Sequence, residues 1–403
     1  MKAIRFHYRP LRYLMTRVAS RKSPAFALGP AGCVSLDNID EPKTPNGEWV
    51  RVNTTMSGIC GSDISAVTAH DSFTLEPFGA YPFTFGHENV GVVSEVGSDV
   101  VGWKKGDRVI INPMLACKQR GIVPECAPCA RGDYGLCRNI KKGVVGGGPM
   151  IGYSPGAGGG WSNSFIAHHT QLHAAGNLSD DVAVLADPFV SSLRPVLLHP
   201  PREDDVVLVL GAGTIGALTV KSLRLTGFTG EINVLARYKF QCELAERAGA
   251  TRVFRSNDEV YKWAGGLPDA TSYKPTLGPR FVEGGPSLIF DTVGNETSIN
   301  DSLSLAREGG RIVLVGAAAK LNADWTRLWY RQLSVAGIFA YGHAPFQGKQ
   351  TDIYTTAVQL MKSGGFGELG MVTHQFPLEE YRAALSAALD KRGHSSTKVV
   401  FRP

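Results

Sequence analysis

Apolar and polar residues alternate with a period of two along short stretches of the first half of the chain. Trp49–Met56 reads Trp-Val-Arg-Val-Asn-Thr-Thr-Met, and Asn89–Glu95 and Arg108–Asn112 behave alike beside Gly and Asp. A period of two sends successive side chains to opposite faces of a strand, so this half is expected to be mostly β. Trp161–Leu172 is a further expected strand, after a Gly-rich loop over residues 143–160. Met1–Phe6 is expected to open the fold as a strand, with a basic surface loop behind it.

The pattern changes near Asp187. From Asp205 onward, short apolar runs alternate with helical periodicity. Strands are expected at Val206–Leu210, Ile232–Leu235, Leu288–Asp291 and Arg311–Val315, with helices at Ile215–Thr226, Phe240–Ala248 and Ser298–Arg307. Such alternation predicts a parallel sheet with crossover helices. Residues 255–286, rich in Gly, Pro and Ser, read as an inserted surface excursion.

The first of these strands runs into Gly211-Ala-Gly213-Thr214-Ile215-Gly216. Gly211 permits a tight turn, Gly213 lets backbone approach a pyrophosphate, and Gly216 lets helix and strand pack closely. The free N–H groups of the helix that Thr214 and Ile215 open would face the phosphates. The next strand ends Ala236-Arg237-Tyr238-Lys239, with Ala where an acid would bind the ribose 2′-hydroxyl of NAD. Arg237 and Lys239 would instead grip a 2′-phosphate, and Tyr238 would lie against adenine, so NADP(H) is the expected cofactor.

With 403 residues, two domains are expected. The net charge of +6 suits a phosphate-bearing cofactor or an anionic substrate and is thin for nucleic acid. No apolar run is long enough to cross a membrane, and no membrane partner is expected. Residues 1–36 hold no acid and many Arg and Lys, which is like a transit peptide in composition. A usable strand at the very start favours a basic surface segment instead. No apolar secretory core follows, and a cytoplasmic location is expected.

Four cysteines, Cys117, Cys126, Cys129 and Cys137, follow the spacing C-x8-C-x2-C-x7-C. A Cys-x2-Cys pair supplies two zinc ligands from one turn, and four thiolates close a structural tetrahedral site. The intervening lobe is poor in large apolar residues, so metal ligation would supply folding free energy that it lacks. Two disulfides are the weaker alternative, given three further cysteines scattered singly. A second set of candidates is Gly58-Ile-Cys60-Gly-Ser62-Asp63 with Gly86-His87-Glu88. Cys60 and His87 are zinc-ligand types, Asp63 and Glu88 could orient them, and Asp187, before Pro188, is the place to seek a third ligand.

In this order, the motifs from Gly-Ile-Cys60-Gly-Ser62-Asp63 through Gly-His87-Glu88, the cysteine lobe and Asp187-Pro188 to the Gly211–Gly216 loop resemble the medium-chain zinc-dependent alcohol dehydrogenases, nearest the polyol and threonine dehydrogenase branch. The resemblance runs from Met1-Lys-Ala to Lys398-Val-Val-Phe-Arg402. It implies a mostly β GroES-like catalytic domain over residues 1–193 and 345–403, with its structural zinc lobe at 117–137, and a doubly wound Rossmann domain over 194–344. It further implies catalytic zinc on Cys60, His87 and Asp187, Ser62 as proton relay, an alcohol, aldehyde or ketone substrate, and a homodimer or homotetramer.

Three features depart from the family pattern. The acid before Pro is Asp187 rather than Glu, which leaves Glu88 as an alternative ligand. Eight residues separate the first lobe cysteine from the next. Ser65 replaces the usual relay histidine, so the proton would leave through Ser65, His70 or the cofactor ribose. The rival readings are a zinc-free enoyl or quinone reductase of the same fold and a zinc-dependent nucleic-acid-binding protein using Arg120, Arg131, Arg138, Lys141 and Lys142. Phe73, Phe78, Tyr81, Phe83, Trp161 and Phe346 are candidates for an aromatic pocket or for core.

Overall fold

The computed structural model describes residues 1–403 as two compact units. One comprises residues 1–187, 341–343 and 351–403, the other 188–340 and 344–350.

The first unit is built on β-structure. Trp49–Gly58 is its central strand, pairing antiparallel with Glu88–Val96 and with Ser164–His168. The sheet runs through Val372–Phe376, Lys398–Phe401, Trp49–Gly58, Glu88–Val96, Arg108–Ile111 and Leu172–Ala174. Alternation along Trp49–Gly58 buries Val50, Val52, Thr54 and Met56, and Trp49 is buried as well. Strands from both ends of the chain meet here: Phe401 pairs with Ser57. A second, three-stranded sheet sets Lys2–Phe6 between Val34–Asn38 and Phe83–Thr84. Phe6, Phe83, Phe85 and Trp161 stack in the core behind it.

The second unit is a six-stranded parallel sheet. In space its strands run Arg252–Phe254, Ile232–Leu235, Val207–Leu210, Leu288–Asp291, Arg311–Leu314 and Ser334–Gly337. Counted along the chain that is the order 3-2-1-4-5-6 of a doubly wound dinucleotide fold. The central strand is buried on both faces, which is why Val207–Leu210 is apolar without alternation.

Three expectations are corrected. The segment after the first strand is not a loop: Pro10–Ser20 is a helix, with Pro at its first position. Residues 255–286 carry structure of their own, a helix at Asn257–Ala264 capped by Ser256 and a hairpin of Thr271–Tyr273 with Phe281–Glu283. The strand expected over 161–172 is broken, because a turn at His169–Gln171 separates Ser164–His168 from Leu172–Ala174. The Gln171 amide holds that break by donating to the carbonyls of Asn112 and Met114, at 2.8 and 2.9 Å.

Candidate active site and metal centres

Cys60 sits where the strand Trp49–Gly58 hands over to the helix Gly61–Val67. It is the N-cap, and Asp63, three residues on, accepts its backbone N–H at 2.9 Å. Asp63 is fully buried, and its other oxygen lies 3.3 Å from His87 Nδ1 and accepts the Tyr153 hydroxyl at 3.0 Å. One carboxylate therefore fixes the turn that carries Cys60 and lies within ion-pair distance of the His87 ring. Burial alone would lower the His87 pKa, but the Asp63 carboxylate and the Cys60 sulfur beside it raise it well above the ordinary value.

Glu88 follows His87 and is fully buried. Its carboxylate occupies the space beside Gly58, where any side chain would collide with it. Both of its oxygens accept from the buried Lys398 ammonium, at 2.8 and 2.6 Å, and Lys398 also donates to the Ile59 carbonyl at 3.2 Å. Burial opposes the charge on Lys398, but Glu88 raises its pKa.

Asp187 is buried in the first turn of the helix Ala186–Leu198. Its Oδ1 accepts the hydroxyls of Tyr341, at 2.9 Å, and of Tyr354. Burial raises its pKa and the neighbouring His87 opposes the rise.

The ligand atoms of Cys60, His87 and Glu88 lie within 4.8 Å of one another, and Asp187 falls outside that group. Thiol, imidazole and carboxylate together form a zinc donor set. The three groups are not equally free to serve. Glu88 has both oxygens on an ammonium, whereas both phenols on Asp187 hold the same oxygen. Ser62, half-buried on the same helix turn, sits beside the half-buried Tyr153 phenol. His70 is tied into its own loop, its Nδ1 2.9 Å from Thr68 Oγ1.

All four lobe cysteines are free thiols, so the disulfide alternative fails. Their sulfurs lie within 4.8 Å of one another, and those of Cys117 and Cys137 are 3.7 Å apart. Zinc–sulfur bonds of about 2.3 Å in a tetrahedron require about 3.8 Å between sulfurs. N–H groups already point at the sulfurs: Cys126 to Cys117, Arg138 to Cys126 and Asn139 to Cys137, each at 3.4 Å. Burial pushes the Cys126 thiol up, but the Arg138 and Cys129 N–H groups and the adjacent thiols bring it down to about 6. Arg120, one of the cations of the nucleic-acid reading, is fully buried and donates to the carbonyls of Leu115, Lys142, Gly146 and Gly148. Arg131 is paired with Asp133 at 2.7 Å.

A third cluster, Glu48, His168 and His169, has no sequence motif. His168 Nε2 lies 3.7 Å from a half-exposed Glu48, and burial and His169 push the His168 pKa down to about 4. With its pKa that low, and Lys118 lowering it as well, the imidazole is neutral at pH 7, so the cluster is a polar contact at a strand end rather than an ion pair.

In the second unit, Gly211 has φ +96° and Gly213 is the N-cap of the helix Thr214–Leu225. A side chain on Gly216 would strike the Gly211 carbonyl, whereas one on Gly213 would meet nothing within 4 Å. The turn is therefore tight at both ends and open in the middle, as a phosphate cradle requires. Ala236 is buried at the end of the neighbouring strand. Arg237 is exposed and makes no ion pair; its backbone N–H donates to Gln241. Lys239 is 84% exposed and lies 3.8 Å from Glu243 one turn on, which makes it a weaker candidate. The Tyr238 ring stacks on Phe240 at 5.7 Å.

Of the proposed aromatic pocket, Phe83 and Trp161 are core, whereas Phe73, Phe78 and Tyr81 are exposed. Sequence reasoning assigned no role to Lys398, Tyr153, Tyr341 or Tyr354. A lysine opening an otherwise apolar strand, Lys398-Val-Val-Phe, was the one available signal.

Residues 46–177 match the alcohol dehydrogenase GroES-like domain and residues 214–363 match the zinc-binding dehydrogenase domain. The chain belongs to the medium-chain zinc-dependent alcohol dehydrogenase family. It is 29% identical over 283 residues to the starvation-sensing protein RspB of Escherichia coli, covering 70% of this chain and 73% of that protein. It is 26% identical over 358 residues to L-idonate 5-dehydrogenase of Vitis vinifera, covering 87% of each. The fold is that of the 2R,3R-butanediol dehydrogenase of Bacillus subtilis, with TM-score 0.71 and 23% identity over 100% of this chain and 99% of the other. A dehydrogenase of this family is an oxidoreductase acting on alcohols, which sets the nucleic-acid reading aside.

Proposed function

We propose that this chain is an NADP(H)-preferring alcohol dehydrogenase with two zinc ions, a structural one on Cys117, Cys126, Cys129 and Cys137 and a catalytic one on Cys60, His87 and Asp187. The observation that carries the reading is a half-buried thiol beside a buried imidazole and buried carboxylates, with Asp63 placed against Cys60 and His87 and two phenols holding Asp187. Glu88 is assigned to Lys398 rather than to the metal, because a cation shared with an ammonium at 2.6 Å would meet like charge.

Zinc bound there supplies Lewis-acid polarisation of the substrate oxygen. Ser62 would take the substrate hydroxyl proton, and a nicotinamide held by the Gly211–Gly216 turn would supply the hydride acceptor. With Ser65 in place of a histidine, the Tyr153 phenol, beside Ser62 and donating to Asp63, is a candidate for the next step of the proton path. Arg237 would hold the 2′-phosphate. The relatives named for idonate and butanediol make polyols the first substrates to assay.

The test is elemental analysis of tag-free protein with a polyol and alcohol panel followed by NADPH absorbance. Two zincs per chain are expected. Cys60→Ser should lose one zinc and all turnover while melting like the wild type. One zinc or none in the wild type, or full turnover in Cys60→Ser, would overturn the reading. Asp187→Ala should also lose the catalytic zinc and Glu88→Gln should keep it; the reverse would move the third ligand to Glu88.

A further inference from the structure

We propose that the helix Pro10–Ser20 seats this protein on an anionic membrane surface. The helix is mounted inside out. Its inward residues are Tyr13, Thr16 and Ser20, at 7%, 0% and 2% exposure. Its apolar residues Leu11, Leu14, Met15 and Val18 are 74%, 49%, 53% and 67% exposed. Their spacing of three, four and seven places them in one stripe. A helix docked only for the stability of its own fold would bury that stripe instead.

The orientation is locked by specific bonds. Ser20 Oγ donates to the Thr68 carbonyl at 2.7 Å, and Arg17 donates to the carbonyls of Ala69 and Asp71, each at 2.8 Å. Tyr13 packs on Tyr8 and Phe6, with ring centres 5.3 and 6.4 Å apart. The helix therefore cannot roll its stripe inward without breaking these contacts. Through Tyr13 and Arg17 it also touches Phe73, 53% exposed, which extends the apolar surface; Glu76 is the one acid on that short neighbouring segment.

Charge identifies the occupant. Residues 1–36 contain no acid. Exposed cations stand at both ends of the stripe, Arg9 before it and Arg21 and Lys22 after it. A second copy docked by a two-fold axis would set this basic segment against itself. A bilayer rich in anionic lipid meets both needs, its acyl boundary taking the stripe and its headgroups the cations. The helix is about 16 Å long and lies on the surface rather than crossing it. The expectation of no membrane partner rested on the lack of a spanning segment, which does not bear on a surface helix. Residues 1–45 also lie outside the two matched family domains, so the family's shared chemistry does not account for this helix.

Co-sedimentation of the zinc-loaded protein with vesicles tests the proposal. Vesicles of phosphatidylcholine with about one-third phosphatidylglycerol should pellet it at low salt and release it at high salt. Partition should fall at least roughly tenfold in Leu14→Glu/Val18→Glu and in Arg21→Glu/Lys22→Glu. Leu11→Ser repeats the test should the first double variant melt early. No pelleting, equal pelleting on pure phosphatidylcholine, or unchanged pelleting of the variants overturns it. So does a drop in oligomer size of Leu14→Glu/Val18→Glu in solution, which would make the stripe a subunit contact.

Discussion

Replacing Lys398 by Met removes the only cation within ion-pair distance of a fully buried carboxylate. The Lys398 and Glu88 side chains are 3% and 0% exposed, and the ammonium makes two bonds to Glu88 and one to the Ile59 carbonyl. Methionine keeps the length and apolar body of the stem, so the perturbation is electrostatic. Breaking a buried ion pair from one side costs about 3–5 kcal/mol, because the remaining charge has no compensation. For a unit of this size, 1 kcal/mol moves the melting temperature by about 2–4 °C, so Lys398→Met should melt roughly 6–20 °C lower. The double variant Glu88→Gln/Lys398→Met should recover a large part of the loss, since no buried charge remains. Thermal melts of the four proteins, each assayed for zinc, complete the cycle. A Lys398→Met melt within about 3 °C of wild type would refute the account of Glu88 as a charge held by Lys398. So would full additivity of the two single variants.

Arg237→Ala should weaken NADP binding by roughly 10- to 100-fold and leave NAD binding nearly unchanged, because a charge-assisted bond to phosphate contributes about 1.5–3 kcal/mol; equal losses in the two dissociation constants would make Arg237 structural. Cys129→Ser should lose one zinc and lower the melting temperature while the Cys60 site keeps its metal, which elemental analysis and melting together report. Asp71 has a folded pKa raised by burial, and by Asp63, to about 6 from 3.8. The native state therefore binds more protons between those values, and stability falls as pH rises through that window. Asp71→Asn should melt higher than wild type at pH 7, by the equivalent of up to about 3 kcal/mol, and show a flatter profile from pH 4 to 6; an unchanged profile would place the pH dependence elsewhere.

Local chemistry was legible because it is written locally. The Gly211–Gly216 turn, the four-cysteine lobe and the apolar run Val207–Leu210 each occupy one short stretch, and composition and spacing report them directly. Two signals were present but passed over. Pro10 opens a run with apolar residues at 11, 14, 15 and 18, a helical period, and Ser256 with Glu259 three residues later marks a helix start.

From the sequence alone came the family likeness, the doubly wound nucleotide half, the clustered lobe cysteines and the pair Cys60 and His87. These depend on residue types at short separations, where chain connectivity does the positioning. Only the tertiary structure decided what surrounds that pair. Glu88 and Lys398 are 310 residues apart in sequence, and Asp187 and Tyr354 are 167 apart; no periodicity links them. Whether Glu88 is a ligand candidate or the partner of an ammonium depends on that pairing across the sheet. The helix Pro10–Ser20 is the same case in reverse. Its stripe could be read from the sequence, but which face meets solvent depends on Thr68, Ala69 and Asp71, about 50 residues away along the chain.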